Sequence, residues 1–134
     1  SMGAYVVTQL VKGMIKKKIQ VEGAKVLVLG LSFKENCPDI RNTKVIDIVK
    51  ELQEYHMDVD VYDPWIDSEE TQHEYGLTPV KQPTAGQYDA VILAVAHNEF
   101  KEMGVEAIRS LGKASHVLYD LKYILAQSES DIRL

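Results

Sequence analysis

The chain has one cysteine, Cys37, so no disulfide can form within it, and a reducing compartment is the expected setting. No apolar run has the length of a membrane-spanning helix, and no secretory leader is read at the start. The four histidines, His56, His73, His97 and His116, lack the spacing that holds a metal, so none is expected. An excess of positive charge is also missing. The formal net charge is -5, which argues against a nucleic-acid or anionic-membrane partner. The one basic run, Lys16-Lys17-Lys18, falls at the end of a predicted helix, where it complements the helix dipole. No internal repeat or low-complexity stretch is present. What remains is ordinary: 134 residues, 46% hydrophobic and 26% charged, the composition of a soluble globular protein.

Hydrophobic periodicity orders the chain. Val6, Val7, Leu10, Val11, Met14 and Ile15 form an apolar stripe at helical spacing, and predict a helix over residues 3–18. Residues 25–29 read as a strand buried on both faces. Asn42 or Thr43 is placed to cap the next helix, whose apolar face is Val45, Ile48, Val49, Leu52 and Tyr55. A second strand over 59–62 stops at Asp63-Pro64. The polar stretch that follows reads as a short helix at 68–75 and a short strand at 77–80. A strongly apolar strand is predicted at 90–95, a helical region at 97–111, and a last strand at 116–119. Alternating strands and helices imply a parallel sheet, whose ligands lie beyond the carboxyl ends of the strands. Those ends are residues 30–41, 63–64, 96–97 and 120–122.

The first of these loops departs from the usual dinucleotide turn. After Gly30 come Leu31, Ser32, Phe33 and Lys34, and the G-x-G-x-x-G pattern is absent. A glycine-rich turn brings backbone N–H groups close to a pyrophosphate. This loop offers an aromatic ring and an ammonium group instead, which suits a nucleotide held by charge and packing.

The run Gly30-Leu31-Ser32-Phe33-Lys34-Glu35-Asn36-Cys37-Pro38-Asp39-Ile40-Arg41-Asn42-Thr43 closely resembles the UDP-glucose/GDP-mannose dehydrogenase family. Val61-Tyr62-Asp63-Pro64, Ala94-Val95-Ala96-His97 and Tyr119-Asp120-Leu121-Lys122 fit the same family in the right order, so the likeness covers nearly the whole chain. The match lies in that family's C-terminal nucleotide-sugar-binding domain. It implies an α/β, Rossmann-like, three-layer fold with a mostly parallel sheet. Residues 1–22 would be the end of a central linker with the N-terminal helix, and residues 23–134 the binding domain. The combination looks most like the bacterial branch that oxidises UDP-N-acetylhexosamines, such as UDP-N-acetylglucosamine or its galacto isomer, to uronic acids for surface polysaccharides.

The resemblance implies a cytoplasmic, homodimeric parent enzyme acting on a UDP-sugar in two hydride transfers. Its NAD is held mainly by an N-terminal domain of the same parent chain, and its catalytic cysteine and lysine lie upstream. No catalytic residue is expected among these 134, and the chain alone should be inactive. By the same likeness Lys34 contacts the nucleotide sugar, where a compact point charge meets a diphosphate, and Phe33 lines that pocket. Lys122 stands where some members carry an arginine; it keeps the charge and loses the bidentate fork. Arg41 corresponds to an arginine that reaches toward the NAD phosphates across the cleft, the plainer alternative being an ion pair with Asp39 or Glu35. Cys37 lies outside the family's thiol motif and is read as a non-catalytic loop residue. Asp63-Pro64 is expected to form a turn, and for His97 substrate contact, capping and packing all stand open. The alternative is a stand-alone nucleotide-binding or regulatory module without catalysis. A receiver-like domain fits poorly, because the first strand ends in a glycine and a basic loop.

Overall fold

The computed structural model describes residues 1–134. Five strands, β1 (Lys25–Leu29), β2 (Asp58–Tyr62), β3 (Tyr88–Leu93), β4 (Gly112–Asp120) and β5 (Ile132–Arg133), form one sheet in the order β2-β1-β3-β4-β5. Every pairing is parallel, so the sheet is wholly rather than mostly so. The helices are α1 (Met2–Lys16), α2 (Val45–Glu54), α3 (Ser68–Tyr75) and α4 (Asn98–Arg109).

Strand side chains alternate between two cores. Val26, Val28, Ala90, Ile92, Val117 and Tyr119 face the larger one, with Val6, Leu10 and Met14 of α1 and Ile48, Val49 and Leu52 of α2. Leu27, Leu29, Val91, Leu93 and Leu118 face the other, with Phe100 and Ile108 of α4. Both faces are dry, which is why the central strands read as continuous apolar runs. The three-layer α/β architecture expected from the sequence is the one found.

The local departures have local causes. Lys18 lies at φ +61, so α1 stops at Lys16. No strand forms at 77–80: Pro79 has no N–H to give a ladder, and one bond, Val80 N–H to the Val61 carbonyl at 2.8 Å, touches the edge of β2. The strand predicted at 90–95 instead covers Tyr88–Leu93, because the N–H groups of Ala94 and Val95 both turn to the Leu29 carbonyl. Gly104, at φ 77 and ψ 166, interrupts the helical region predicted at 97–111. The last predicted strand starts earlier, at Gly112, with a register slip opposite Tyr88 and Ala90. Lys44 stands at the N-cap of α2 with no side-chain capping bond; Thr43 Oγ1 accepts the Val45 N–H at 3.2 Å just ahead of it, and Asn42 sits at φ +60 outside the helix. β5 was not foreseen; two residues with no alternation leave no periodic signal.

Candidate functional site

In this strand order β2 lies on one side of β1 and β3 on the other, so the loops after β1 and β3 diverge and open a crevice at the carboxyl edge of the sheet. A cleft of about 200 Å³ occupies that place. Its walls are Ser32, Phe33, Lys34 and Glu35 from the loop after β1, and Thr43, Lys44 and Val45 at the start of α2. Ala94 and Val95 follow from β3, and Leu121 and Lys122 from β4. The three residues read from the sequence as substrate-binding, Phe33, Lys34 and Lys122, therefore meet in one cleft. Phe33 is 56% exposed, an aromatic face with little packed on it.

Lys44 also lines the cleft, and the sequence reading missed it. The available signal was a lysine at the amino end of a helix, where the dipole disfavours a cation unless an anion is present. None of Lys34, Lys44 and Lys122 takes part in an ion pair. Glu35 is the one acidic side chain on the walls. A protein with a net charge of -5 thus collects three unpaired ammonium groups around one crevice.

The loops that carry these lysines are bolted down by buried aspartates. Asp63, at the end of β2, accepts the N–H groups of Leu31 and Ser32 on Oδ2 at 2.7 and 2.9 Å, and that of Trp65 on Oδ1 at 2.8 Å. The last bond is the expected turn; the first two tie the β1 loop to β2. Oδ2 also meets His97 Nε2 at 2.9 Å. Burial alone would raise the Asp63 carboxyl, but the His97 bond and the three backbone N–H bonds outweigh it and hold the group below its ordinary range. Asp120 does the same for the Lys122 loop. It accepts from Lys122 and Ile124 on Oδ1 at 3.1 and 3.2 Å, and from Leu125 on Oδ2 at 2.8 Å.

His97 is fully buried and is not among the residues that line the cleft. It heads α4 without a side-chain capping bond. Its Nδ1 accepts the Asn36 N–H at 2.9 Å, and its ring lies against Trp65 and Phe100. Of the openings left by the sequence, packing and loop bonding is the one realised.

Gly30 is needed at the base of the cleft. Its φ is +102, and a Cβ there would sit 2.6 Å from the Val95 Cβ. Only glycine lets the β1 loop pass the β3 loop so closely.

Arg41 lies elsewhere. It lines a separate, open depression with Pro38, Asp39, Ile40, Glu70 and Glu74. Its Nε and Nη2 donate to the two carboxylate oxygens of Asp39 at 3.0 and 3.1 Å, the ion pair that the sequence held as the alternative. These side-chain bonds, with the Arg41 backbone N–H, hold the Asp39 carboxyl down to about 2. Arg41 Nη1 remains without a partner in this pair. Cys37 is half-buried in the loop, while the nearby His97 is engaged by Asp63, Ser32 and Asn36.

The turn after β1 does not fit the pyrophosphate of NAD. Its first two N–H groups, on Leu31 and Ser32, already point at the Asp63 carboxylate, an anion occupying the place a phosphate would take. No group of three or more His, Cys, Asp and Glu side chains is arranged to hold a metal.

Residues 27–127 match the UDP binding domain of the UDP-glucose/GDP-mannose dehydrogenase family. The chain is 66% identical over 133 residues to a UDP-N-acetyl-D-glucosamine 6-dehydrogenase of Pseudomonas aeruginosa, covering 99% of this chain and 32% of that protein. It is 59% identical over 134 residues to a UDP-N-acetyl-D-glucosamine 6-dehydrogenase of Salmonella typhi, with 100% and 32% covered. The chain thus spans about a third of the length of the curated relatives it matches. Among solved structures, an NDP-N-acetyl-D-galactosaminuronic acid dehydrogenase from Methanosarcina mazei Go1 superposes with a TM-score of 0.82 at 20% identity, over 96% of this chain and 26% of that one, which speaks to the fold. The chain belongs to the UDP-glucose/GDP-mannose dehydrogenase family, with residues 27–127 matching that family's UDP binding domain.

Proposed function

We propose that this chain is the C-terminal UDP-sugar-binding part of a longer, cytoplasmic, NAD-dependent UDP-N-acetylhexosamine 6-dehydrogenase that supplies uronic acids for surface polysaccharide. The observation that carries the reading is the crevice itself: three ammonium groups without carboxylate partners, beside an exposed phenyl ring, at the switch point of a parallel sheet. A UDP diphosphate supplies the missing negative charge, and its uracil a flat face for Phe33. The identity to proteins named as UDP-N-acetyl-D-glucosamine 6-dehydrogenases favours that sugar.

In this reading residues 1–22 close a linker, residues 23–134 bind the nucleotide, and the chain's own part is to bind and orient. Lys34, Lys44 and Lys122 neutralise the diphosphate while Phe33 fixes the base end. NAD belongs to another part of the parent chain, in line with the occupied turn after β1, and the parent is a homodimer. Alone, the chain is expected to form no NADH from a UDP-sugar. A single module without catalysis is disfavoured, because nearly all of the chain aligns at high identity with a third of each longer dehydrogenase.

Calorimetric titration tests this directly. UDP should bind the chain, NAD should give no saturable heat, and Lys34→Ala should weaken UDP on the order of tenfold or more, since a hydrogen bond to a charged group contributes about 1.5–3 kcal/mol. Unchanged UDP affinity in Lys34→Ala refutes the assignment.

Arg41 is proposed to reach the NAD phosphates of the intact enzyme through its free Nη1. It is then idle toward UDP, and Arg41→Ala should leave the UDP affinity of this chain within error of wild type. A clear loss in the same titration means that Arg41 braces the loop through Asp39 instead.

A further inference from the structure

His97 is buried and lines no part of the cleft, yet both of its ring nitrogens serve the loop that carries Phe33 and Lys34. Nδ1 accepts the Asn36 N–H at 2.9 Å, which fixes the proton on Nε2. Nε2 then donates to Asp63 Oδ2 at 2.9 Å and lies 3.1 Å from Ser32 Oγ. The Ser32 hydroxyl in turn donates to the Lys34 carbonyl at 2.9 Å. On the far side, Asn36 holds φ +55 and its Oδ1 accepts the Asn98 N–H at 2.9 Å, pinning the loop to the start of α4. Lys34 is therefore flanked by two residues, Ser32 and Asn36, that meet the same buried imidazole. Trp65 lies on that ring at 6.1 Å between centroids, with its Nε1 donating to Glu99 at 2.9 Å, and shields the network from water.

We propose that His97 is a positioning residue for the cleft: through Asn36 and Ser32 it holds Lys34 in the binding geometry before the nucleotide arrives. The inference rests on the reading of the cleft as a UDP site. A loop ordered in advance does not charge its ordering to the ligand, so its loss appears as lost affinity.

The test is a double-mutant cycle read by calorimetric titration of the chain with UDP. His97→Ala should weaken UDP on the order of tenfold, as a displaced contact group does. In a Lys34→Ala background the same change should cost less than about twofold, because the group it positions is gone. An equal factor in both backgrounds makes His97 a general structural residue and overturns the proposal. If His97→Ala does not fold, Ser32→Ala carries the cycle. Alanine removes the hydroxyl that links His97 Nε2 to the Lys34 carbonyl and leaves the imidazole bonded to Asp63. It should weaken UDP with an unchanged thermal midpoint, again without adding to Lys34→Ala; additive loss, or none, overturns the proposal. If Lys34→Ala alone leaves UDP affinity unchanged, or the wild-type chain takes up no UDP, the cleft reading falls and the proposal with it. Loss in Lys34→Ala beside wild-type affinity in His97→Ala and Ser32→Ala leaves the cleft reading standing and removes only the positioning role.

Discussion

Asp63→Ala is expected to lower the stability of the folded chain by roughly 4 kcal/mol or more, at about 1–3 kcal/mol for each of four buried donors left without an acceptor. The Asp63 side chain is fully buried and serves Leu31, Ser32, Trp65 and His97 together. A domain of this kind is stable by only about 5–15 kcal/mol, so the loss is a large share. Urea denaturation measures it, and a change below about 1 kcal/mol would show that water replaces the carboxylate at little cost.

The same group sets the direction of the acid response. Its folded carboxyl lies below the ordinary value of 3.8, so below that value the unfolded chain binds more protons than the folded one. The stabilisation from Asp63 is then fully present above about pH 4, and is lost as pH falls from there through the lower folded value. Asp131, held down by the Leu118 N–H, Lys17 and Arg109 against its own burial, acts in the same window. Asp39 is held down more visibly, but its partner Arg41 faces solvent, and exposed pairs contribute little. Asp63→Asn should therefore flatten the acid limb of the stability profile, and Asp39→Asn should not. Equal effects of the two would contradict the network described around Asp63.

The second large effect is expected at Gly30. Gly30→Ala combines a side chain at φ +102 with a Cβ 2.6 Å from that of Val95. Backbone strain of about 1–3 kcal/mol and overpacking of about 1–3 kcal/mol point to a loss of roughly 2–6 kcal/mol. The damage should be wider than stability. Relief of the clash moves the β1 loop away from the β3 loop, so residual folded protein should bind UDP more weakly. A denaturation midpoint equal to wild type would mean that the loops yield freely there, against the close approach described.

The central sheet was legible because its strands are buried on both faces, as Val26, Leu27, Val28 and Leu29 show. Helix α1 was legible through the stripe from Val6 to Met14. What escaped was set by single residues or by partners distant in sequence. Gly104 breaks a helix from inside an otherwise helical pattern. Pro79 denies a ladder to an apolar stretch, and β5 is held by β4 rather than by its own periodicity. At the site, Phe33, Lys34 and Lys122, expected there from the family's motifs, line one cleft. The bond between His97 and Asn36 spans 61 positions and that between Asp63 and Leu31 spans 32. A linear reading gives Asp63 its turn to Trp65 and no more, because the turn is the one local contact among its four.

The most direct measurement of where UDP binds is amide shift mapping by NMR on the isotope-labelled chain as UDP is added. Saturable shifts are expected to centre on residues 32–35, 43–45 and 121–122, the walls of the lysine-lined cleft. Shifts centred instead on Asp39, Arg41 and Glu70, or no saturable shift at all, would contradict the assignment of this cleft as the nucleotide site.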